Sequence, residues 1–374
     1  MHELGIEPIL DPLHHTSFPK WLAGGFANPE FADLYLKFVT AIADRYPWVR
    51  HYTIVNEPFV TTWFCGHEAC WYPFFKGPKA FVPMLMNVVE ATVSISRMLV
   101  EKFPDVCLVH VDAAERHRSL DTHSRAHAEF GNNIRFLVQD LILGQVDGGH
   151  ALYDYLTTNG ADTELLSRFR EEPGRIDVIG LDYYSHCELE WAQTGRVYPN
   201  QTPEGLVPTA VEYAERYKLP IMLSETNIRG YVSDRISWLK FMVEQCEQIE
   251  KKVARLGVPF EGFCWYPFID STDWCSLVKM ARGCIDPQGI YWLDAGMNRN
   301  ASELSEIYTA LARGQITSKD IPAYRFHAPL DEQLSGFMPL MEHWNWKLPL
   351  ANSGNGHRSR KAPQAARVRL ACAA

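Results

Sequence analysis

Short apolar runs of strand length alternate with longer stretches of helical periodicity along most of the chain. The strand-length runs lie at residues 8–10, 52–55, 107–111, 176–181, 221–223 and 260–265. Apolar positions recurring at spacings of three and four predict helices after them, over 31–46, 81–102, 124–143, 208–218, 234–256 and 302–313. This alternation is typical of repeated βα units, in which helices cover a parallel sheet.

The number of predicted strands falls short of a closed barrel, which needs eight. We therefore predict an α/β fold: a (β/α)8 TIM barrel that is N-terminally incomplete, with about six βα units. Residues 1–320 are expected to form the barrel and 321–351 an extension that packs on it. Residues 352–374 contain arginines and a lysine but no acidic residue, so we expect a disordered basic tail.

The composition of the chain is that of an ordinary globular protein and does not favour binding to nucleic acid or to membranes. Hydrophobic residues make up 47% of the 374 positions and charged residues 22%, with a net charge of −9. Such a chain has no general attraction to nucleic acid or anionic membranes. No apolar run approaches the roughly 18 residues of a membrane span, and the first residues lack the layout of a secretion signal. Nine singly scattered cysteines favour reduced thiols, so we predict a cytoplasmic protein.

The closest cysteines, Cys65 and Cys70, lie on either side of His67 and Glu68. A zinc site needs further ligands at a recognisable spacing, and none follow. We therefore predict neither a metal nor an organic cofactor.

Two of the predicted strands end on a glutamate, Glu57 and Glu225. The C-terminal ends of parallel barrel strands open into one mouth, so the two carboxyl groups are expected to converge there. Glycoside cleavage needs such a pair, one to protonate the leaving oxygen and one to attack or to activate water. Each glutamate alone is equally compatible with capping a helix or pairing with a lysine; the pair favours catalysis.

Aromatic residues accompany acidic ones at two further strand ends. Trp265 closes one predicted strand, and Asp273 and Trp274 follow shortly after it. Aromatic faces stack on the apolar side of a pyranose, and carboxylates accept hydrogen bonds from its hydroxyls; the alternative is that both tryptophans belong to the core. Another strand ends at Tyr183 and Tyr184, and a phenol directed at a carboxylate can hold it ionised as a nucleophile.

These segments, in their order, resemble the family 1 glycoside hydrolases (β-glucosidases and relatives), which are retaining enzymes on a (β/α)8 barrel. Residues 15–22 look like the family's His-Trp-Asp-Leu-Pro-x-Trp-Leu segment, which implies that His15 binds sugar. Residues 55–58 are similar to its Phe-Asn-Glu-Pro. That resemblance implies that Glu57 is the acid/base and that Asn56 contacts the 2-hydroxyl.

Three later segments extend the resemblance. Residues 182–185 resemble Asn-Tyr-Tyr-Ser/Thr, which implies that Tyr184 touches the nucleophile, and residues 224–227 look like Thr-Glu-Asn-Gly, which implies that Glu225 is that nucleophile. The stretch from Trp265 to Trp274 is similar to the family's sugar-binding segment, implying substrate contacts for Trp265, Asp273 and Trp274.

The chain also departs from the family pattern. Thr16 replaces a tryptophan, Asp182 an asparagine and Asp273 a glutamate. The family's first two strands, with a glutamine for the sugar and an arginine beside the nucleophile, have no counterpart here.

The predicted function is that of a cytoplasmic retaining β-glycosidase acting on small β-glucoside-like substrates by double displacement. A small carbohydrate is the expected partner, without nucleic acid or membrane. Two alternatives stay open. One is a catalytically impaired barrel that binds carbohydrate, or a protein at its exposed edge; the other is a related two-glutamate barrel hydrolase with a different sugar preference.

Overall fold

A computed structural model of the chain describes residues 2–193, 197–200 and 204–324. The strands within these residues are β1 (Ile9–Leu10), β2 (His51–Tyr52), β3 (Cys107–Ala113), β4 (Arg116–Ser119), β5 (Val178–Asp182), β6 (Glu188–Trp191), β7 (Val197–Pro199), β8 (Ile221–Glu225), β9 (Phe260–Phe263), β10 (Ser271–Thr272), β11 (Ile285–Asp286), β12 (Trp292–Leu293) and β13 (Arg299–Asn300). The α-helices are α1 (Phe31–Arg45), α2 (Pro58–Gly66), α3 (Pro78–Lys102), α4 (Arg125–Ile134), α5 (Leu137–Ile142), α6 (Tyr153–Thr158), α7 (Thr163–Glu171), α8 (Leu206–Tyr217), α9 (Val232–Val253) and α10 (Glu303–Ala312).

Six parallel strands form the central sheet, in the order β1-β2-β3-β5-β8-β9. Every neighbouring pair runs parallel, as expected for βα units joined by crossover helices. Within the described residues the sheet stays open between β1 and β9. The predicted incomplete barrel with six strands is therefore confirmed.

Helix α1 buries a stripe that only partly matches the one its sequence predicts. The apolar spacing predicts a face of Phe31, Leu34, Tyr35, Phe38 and Ile42. The buried residues are Phe31, Tyr35, Val39 and Ala43, each four positions after the last. Phe38 is 53% exposed. Residues four apart lie along one side of a helix, and this side packs against α3.

Several elements were not expected from the sequence, among them the short helices α6 and α7 and the short strands β10 to β13. Helix α2 follows Glu57 directly and is buried on nearly all sides, so it carries no amphipathic period that would reveal it. The helix predicted over 124–143 is two helices, α4 and α5, separated at Arg135 and Phe136. Strands β4, β6 and β7 form a small second sheet that packs against α4.

The predicted extension over 321–351 is described only as far as Tyr324. There the Tyr324 N–H donates to the Ser237 hydroxyl, which in turn donates to the Tyr324 carbonyl. The rest of the extension and the predicted tail over 352–374 lie outside the described residues. None of the helices in the described part of the chain combines the length and apolarity needed to cross a membrane.

Candidate active site

A cavity of about 140 Å³ lies where the central strands end. An apolar cavity of roughly 150 Å³ holds one benzene ring, so the space is on the scale of a single six-membered ring. Its lining includes Glu57 after β2, Glu225 at the end of β8 and Tyr184 after β5, together with His15, Trp71 and Trp274. The C-terminal ends of the strands are the edge at which barrels carry their chemistry.

Glu57 is the residue immediately before α2, and its backbone angles are φ 42° and ψ 58°. This left-handed conformation is uncommon for a residue other than glycine and is typical of functional positions. The carboxyl group is buried. Its burial and the charges of Glu225, Asp112 and Glu115 raise the pKa of Glu57 well above its usual range. Glu57 therefore keeps its proton to a higher pH than an exposed glutamate does.

His15 lies beside Glu57. Its Nε2 is 3.8 Å from Oε2 of Glu57, and its Nδ1 is hydrogen-bonded to the Thr61 hydroxyl of α2 at 3.0 Å. Burial, reinforced by neighbouring His14, lowers the pKa of His15 well below its usual range. A neutral imidazole does not stabilise the ionised form of Glu57 by charge, so it leaves the proton on that carboxyl group.

Glu225 has a different environment. The Tyr184 hydroxyl donates a hydrogen bond of 2.6 Å to its Oε2. Burial raises the pKa of Glu225 to about 7, while the Tyr184 hydrogen bond and the charge of His14 oppose that rise. Tyr184 is aligned from the backbone as well, since the N–H of the preceding Tyr183 donates to the Glu225 carbonyl at 2.9 Å. Glu225 thus ionises more readily than Glu57.

Two further buried carboxyl groups, Asp112 and Asp182, support the site, and sequence reasoning did not assign either a role. Asp112 accepts hydrogen bonds of 3.0 Å from the N–H groups of Phe59 and Ala113, which fixes the start of α2 beside β3. Burial raises its pKa to about 7. The one sequence signal for Asp112 is a carboxylate inside a strand that is apolar apart from His110. Asp182 accepts a hydrogen bond of 2.6 Å from Ser224 on the next strand.

Aromatic rings form one side of the cavity. Trp71 and Trp274 lie with their ring centroids 4.9 and 5.6 Å from that of His15. The indole N–H of Trp71 donates to the Leu277 carbonyl at 2.8 Å, which ties the loop after α2 to the loop that carries Trp274. Trp71 was not singled out from the sequence.

Three of the predicted site residues do not line the cavity. Asn56 is buried, and its Nδ2 has no hydrogen-bond partner among the described residues. Trp265 is 3% exposed and donates its indole N–H to the Gln288 carbonyl at 2.9 Å. The Asp273 carboxylate closes a loop by accepting the N–H groups of residues 282, 283 and 284. The sugar contacts of these three residues stay predictions.

Several solved structures with a similar architecture are β-glucosidases. No protein-family model matches the sequence. The β-glucosidase from Thermotoga maritima in complex with castanospermine matches with a TM-score of 0.70 at 18% identity, covering 83% of this chain and 74% of that one. The same enzyme with galacto-hydroximolactam gives 0.70 at 19%, over 83% and 75%. A structure of the family 1 β-glucosidase from this organism gives 0.65 at 17%, over 78% and 70%.

The chain has a family 1 β-glucosidase-like fold. The resemblance drawn from the sequence motifs is confirmed at this level, and the six parallel strands are those of an incomplete (β/α)8 barrel. At such low identity the β-glucosidase-like fold says which architecture is present, and the chemistry has to be argued from the residues of this chain.

Cys65 and Cys70 lie on either side of two other residue types that bind metals, His67 and Glu68. Within residues 2–193, 197–200 and 204–324 no group of three or more histidine, cysteine or acidic side chains is arranged to hold a metal ion. Burial raises the pKa of the Cys65 thiol and of the Cys70 thiol, which opposes the thiolate form that metals bind.

Proposed function

We propose that the protein is a retaining β-glycosidase that hydrolyses the O-glycosidic bond of small β-glucoside-like substrates by double displacement. The observation that carries the proposal is the pairing of unlike carboxyl groups in one cavity. Glu57 is buried without a described donor on its carboxyl group, whereas Glu225 accepts the Tyr184 hydroxyl. Two carboxyl groups with different environments divide the roles of acid and nucleophile.

The first step forms a glycosyl-enzyme. An oxygen of Glu225 forms a bond to the anomeric carbon as the bond from that carbon to the leaving oxygen breaks. The proton of Glu57 passes to the leaving oxygen. Tyr184 keeps Glu225 ionised and oriented until it attacks.

The second step returns the enzyme to its starting state. Glu57, now a carboxylate, removes a proton from water, whose oxygen bonds to the anomeric carbon as the ester to Glu225 breaks. The two displacements give net retention. Esterification removes the negative charge of Glu225, one of the charges that raise the pKa of Glu57. The first step therefore prepares Glu57 to act as a base in the second.

The remaining predicted residues complete the site in this proposal. His15 and Trp274 contact the sugar from the cavity wall. For Asn56, Trp265 and Asp273 a substrate contact rests on the resemblance of their segments to family 1 glycoside hydrolases. The reaction uses no metal or organic cofactor, and the protein acts in the cytoplasm.

Covalent trapping tests the proposal. A 2-fluoro β-glucoside with a good leaving group is incubated with the folded protein, and the adduct is mapped by mass spectrometry. We expect a sugar on Glu225 of the wild type and none on a Glu225→Gln variant. Turnover with inversion, followed by NMR of the first-formed sugar, would contradict the double displacement.

A second candidate function is carbohydrate binding without hydrolysis. The opening of the sheet between β1 and β9 in the described residues favours it, because an incomplete barrel is missing part of the wall of its mouth. A protein that binds glucosides by calorimetry, is not trapped and turns nothing over would support this candidate.

A further inference from the structure

Glu115 stands at the wall between two cavities. A second cavity of about 90 Å³ lies beside the first, and the side chains of Val60 and Glu115 line both. Glu115 also contributes to the negative charge that raises the pKa of Glu57. Glu115 is therefore near the proposed acid, in the wall that the two cavities share. Because the leaving oxygen takes its proton from that acid, a leaving group would lie beside Glu57.

A chain of hydrogen bonds holds Glu115 in place. The indole N–H of Trp191 on β6 donates to Nδ1 of His117 on β4 at 2.9 Å. Because an indole nitrogen can only donate, Nδ1 of His117 is the acceptor and the ring proton lies on Nε2. Nε2 then donates to Oε2 of Glu115 at 3.2 Å. His117 thus acts as a fixed neutral donor to the carboxylate.

A glycine inside α4 makes room for this histidine. A Cβ at Gly131 would lie 2.5 Å from Cγ and Nδ1 of His117, so no other residue fits without moving the ring. Glycine within a helix costs about 1 kcal/mol relative to alanine. The neighbouring Asn132 accepts the His117 N–H at 3.0 Å and donates to its carbonyl at 2.7 Å. Helix α4 is thus shaped around His117.

The second oxygen of Glu115 has no such partner. In the described part of the chain no residue donates a hydrogen bond to Oε1, although the carboxylate lines both cavities. The second cavity adds flat apolar rings from Phe59, Trp63, Phe130 and Trp191. A carboxylate oxygen beside aromatic rings suits a group that has hydroxyls at its edge and an apolar face, as a pyranose does.

We infer that Glu115 is a specificity-determining residue that accepts a hydrogen bond from a hydroxyl of the leaving group, while the second cavity holds the face of that group. The preferred substrates are accordingly β-linked disaccharides. This inference rests on the proposed glycosidase function.

The test compares two substrates whose leaving groups both need protonation by Glu57. Cellobiose has a second sugar as its leaving group, and hexyl β-D-glucoside has an alcohol without further hydroxyls. Both leaving oxygens need a proton, so any change in Glu57 affects both. We expect Glu115→Ala to lower kcat/KM for cellobiose by about ten- to one-hundred-fold relative to hexyl glucoside, the range for one hydrogen bond to a charged group. Glu190→Gln on β6, outside both cavity linings, is the matched control and should leave the ratio unchanged.

Three further variants test the residues that hold Glu115 in place. Gly131→Ala and His117→Leu are both expected to lower the same substrate ratio, and His117→Gln, which keeps an N–H donor, should restore part of it. Thermal unfolding confirms that each variant is folded. A purely structural role would lower both activities together and leave the ratio unchanged.

The outcomes separate the two proposals. If the wild type hydrolyses hexyl glucoside and Glu115→Ala leaves the ratio unchanged, the inference about Glu115 is overturned and the glycosidase function stands. If the folded wild type hydrolyses neither substrate and is not trapped, the proposed function fails and the inference fails with it.

Discussion

The hydroxyl of Tyr184 donates a 2.6 Å hydrogen bond to Oε2 of Glu225, from a strand end that neighbours that of β8 in the sheet. A hydrogen bond to the charged form of a carboxyl group lowers its pKa. Without it, the pKa of Glu225, already raised to about 7 by burial, would rise further.

We therefore expect Tyr184→Phe to move the acid limb of the kcat/KM profile to higher pH. A hydrogen bond to a charged group is worth about 1.5–3 kcal/mol, which corresponds to roughly one to two pH units. At pH values below the acid limb, kcat/KM of Tyr184→Phe should be lower than that of the wild type by about tenfold or more. The matched control is Tyr155→Phe, which removes a buried hydroxyl with no hydrogen-bond partner among the described residues. An acid limb that moves equally in both variants would contradict this role of Tyr184.

Replacing the proposed acid should have an effect that depends on the leaving group. Glu57→Gln cannot donate its proton, but 2,4-dinitrophenolate leaves without one. We expect kcat/KM for hexyl β-D-glucoside to fall by at least about a hundredfold, within the usual range for general acid catalysis, with a much smaller loss for 2,4-dinitrophenyl β-D-glucoside. Equal losses on the two substrates would show that Glu57 is not the acid. The variant should also lose the basic limb of the pH profile, since that limb reports the wild-type Glu57, whose pKa is raised by burial and by nearby carboxylates.

The position of the two glutamates could be predicted from the sequence because each follows a short apolar run, and parallel strands bring such ends to one edge. Glu115 was not predicted. It follows the end of β3 without any motif, and its importance comes from contacts with His117 and the second cavity.

Asp273 has contacts that the sequence could not predict. Its sequence context of acid beside aromatic predicts sugar binding, and that contact stays a prediction; the structure adds that three backbone N–H groups of its own loop bind the carboxylate. Such contacts depend on loop geometry, which no periodicity in the sequence reports.

Glu225 should lower the stability of the protein at neutral pH. Its pKa is about 7 in the folded protein and near 4.5 when unfolded. Between these values the folded state keeps a proton that the unfolded chain has released, so stability falls as the pH rises through this window. Glu225→Gln does not titrate. The free energy of unfolding of Glu225→Gln, relative to that of the wild type, should therefore rise by up to roughly 3 kcal/mol between pH 4 and pH 8.

Thermal unfolding of wild type and Glu225→Gln at the two pH values measures this difference. Glu90→Gln serves as control, because Glu90 pairs with Arg168 at the surface and should give no pH-dependent gain. A Glu225→Gln effect that is the same at pH 4 and pH 8 would contradict the raised pKa.

Asp270 is expected to act on stability through the loop that carries Trp274. Its buried carboxylate accepts the N–H groups of Gln288, Gly289 and Leu293 at 3.0, 2.7 and 3.1 Å and lies 3.4 Å from the guanidinium of Arg235. Asp270→Ala leaves three donors unsatisfied and a buried cation unpaired. Removing one partner of a buried ion pair costs about 3–5 kcal/mol.

Urea unfolding compares this variant with Asp162→Ala, which removes a single exposed cap on the N–H of Glu164 and should cost about 1 kcal/mol. A loss for Asp270→Ala no larger than that for Asp162→Ala would contradict the structural role. Because Trp274 lines the first cavity, the folded fraction of Asp270→Ala should also show a raised KM. Asp162→Ala, at the N-terminus of α7 and outside the linings of both cavities, should leave KM unchanged.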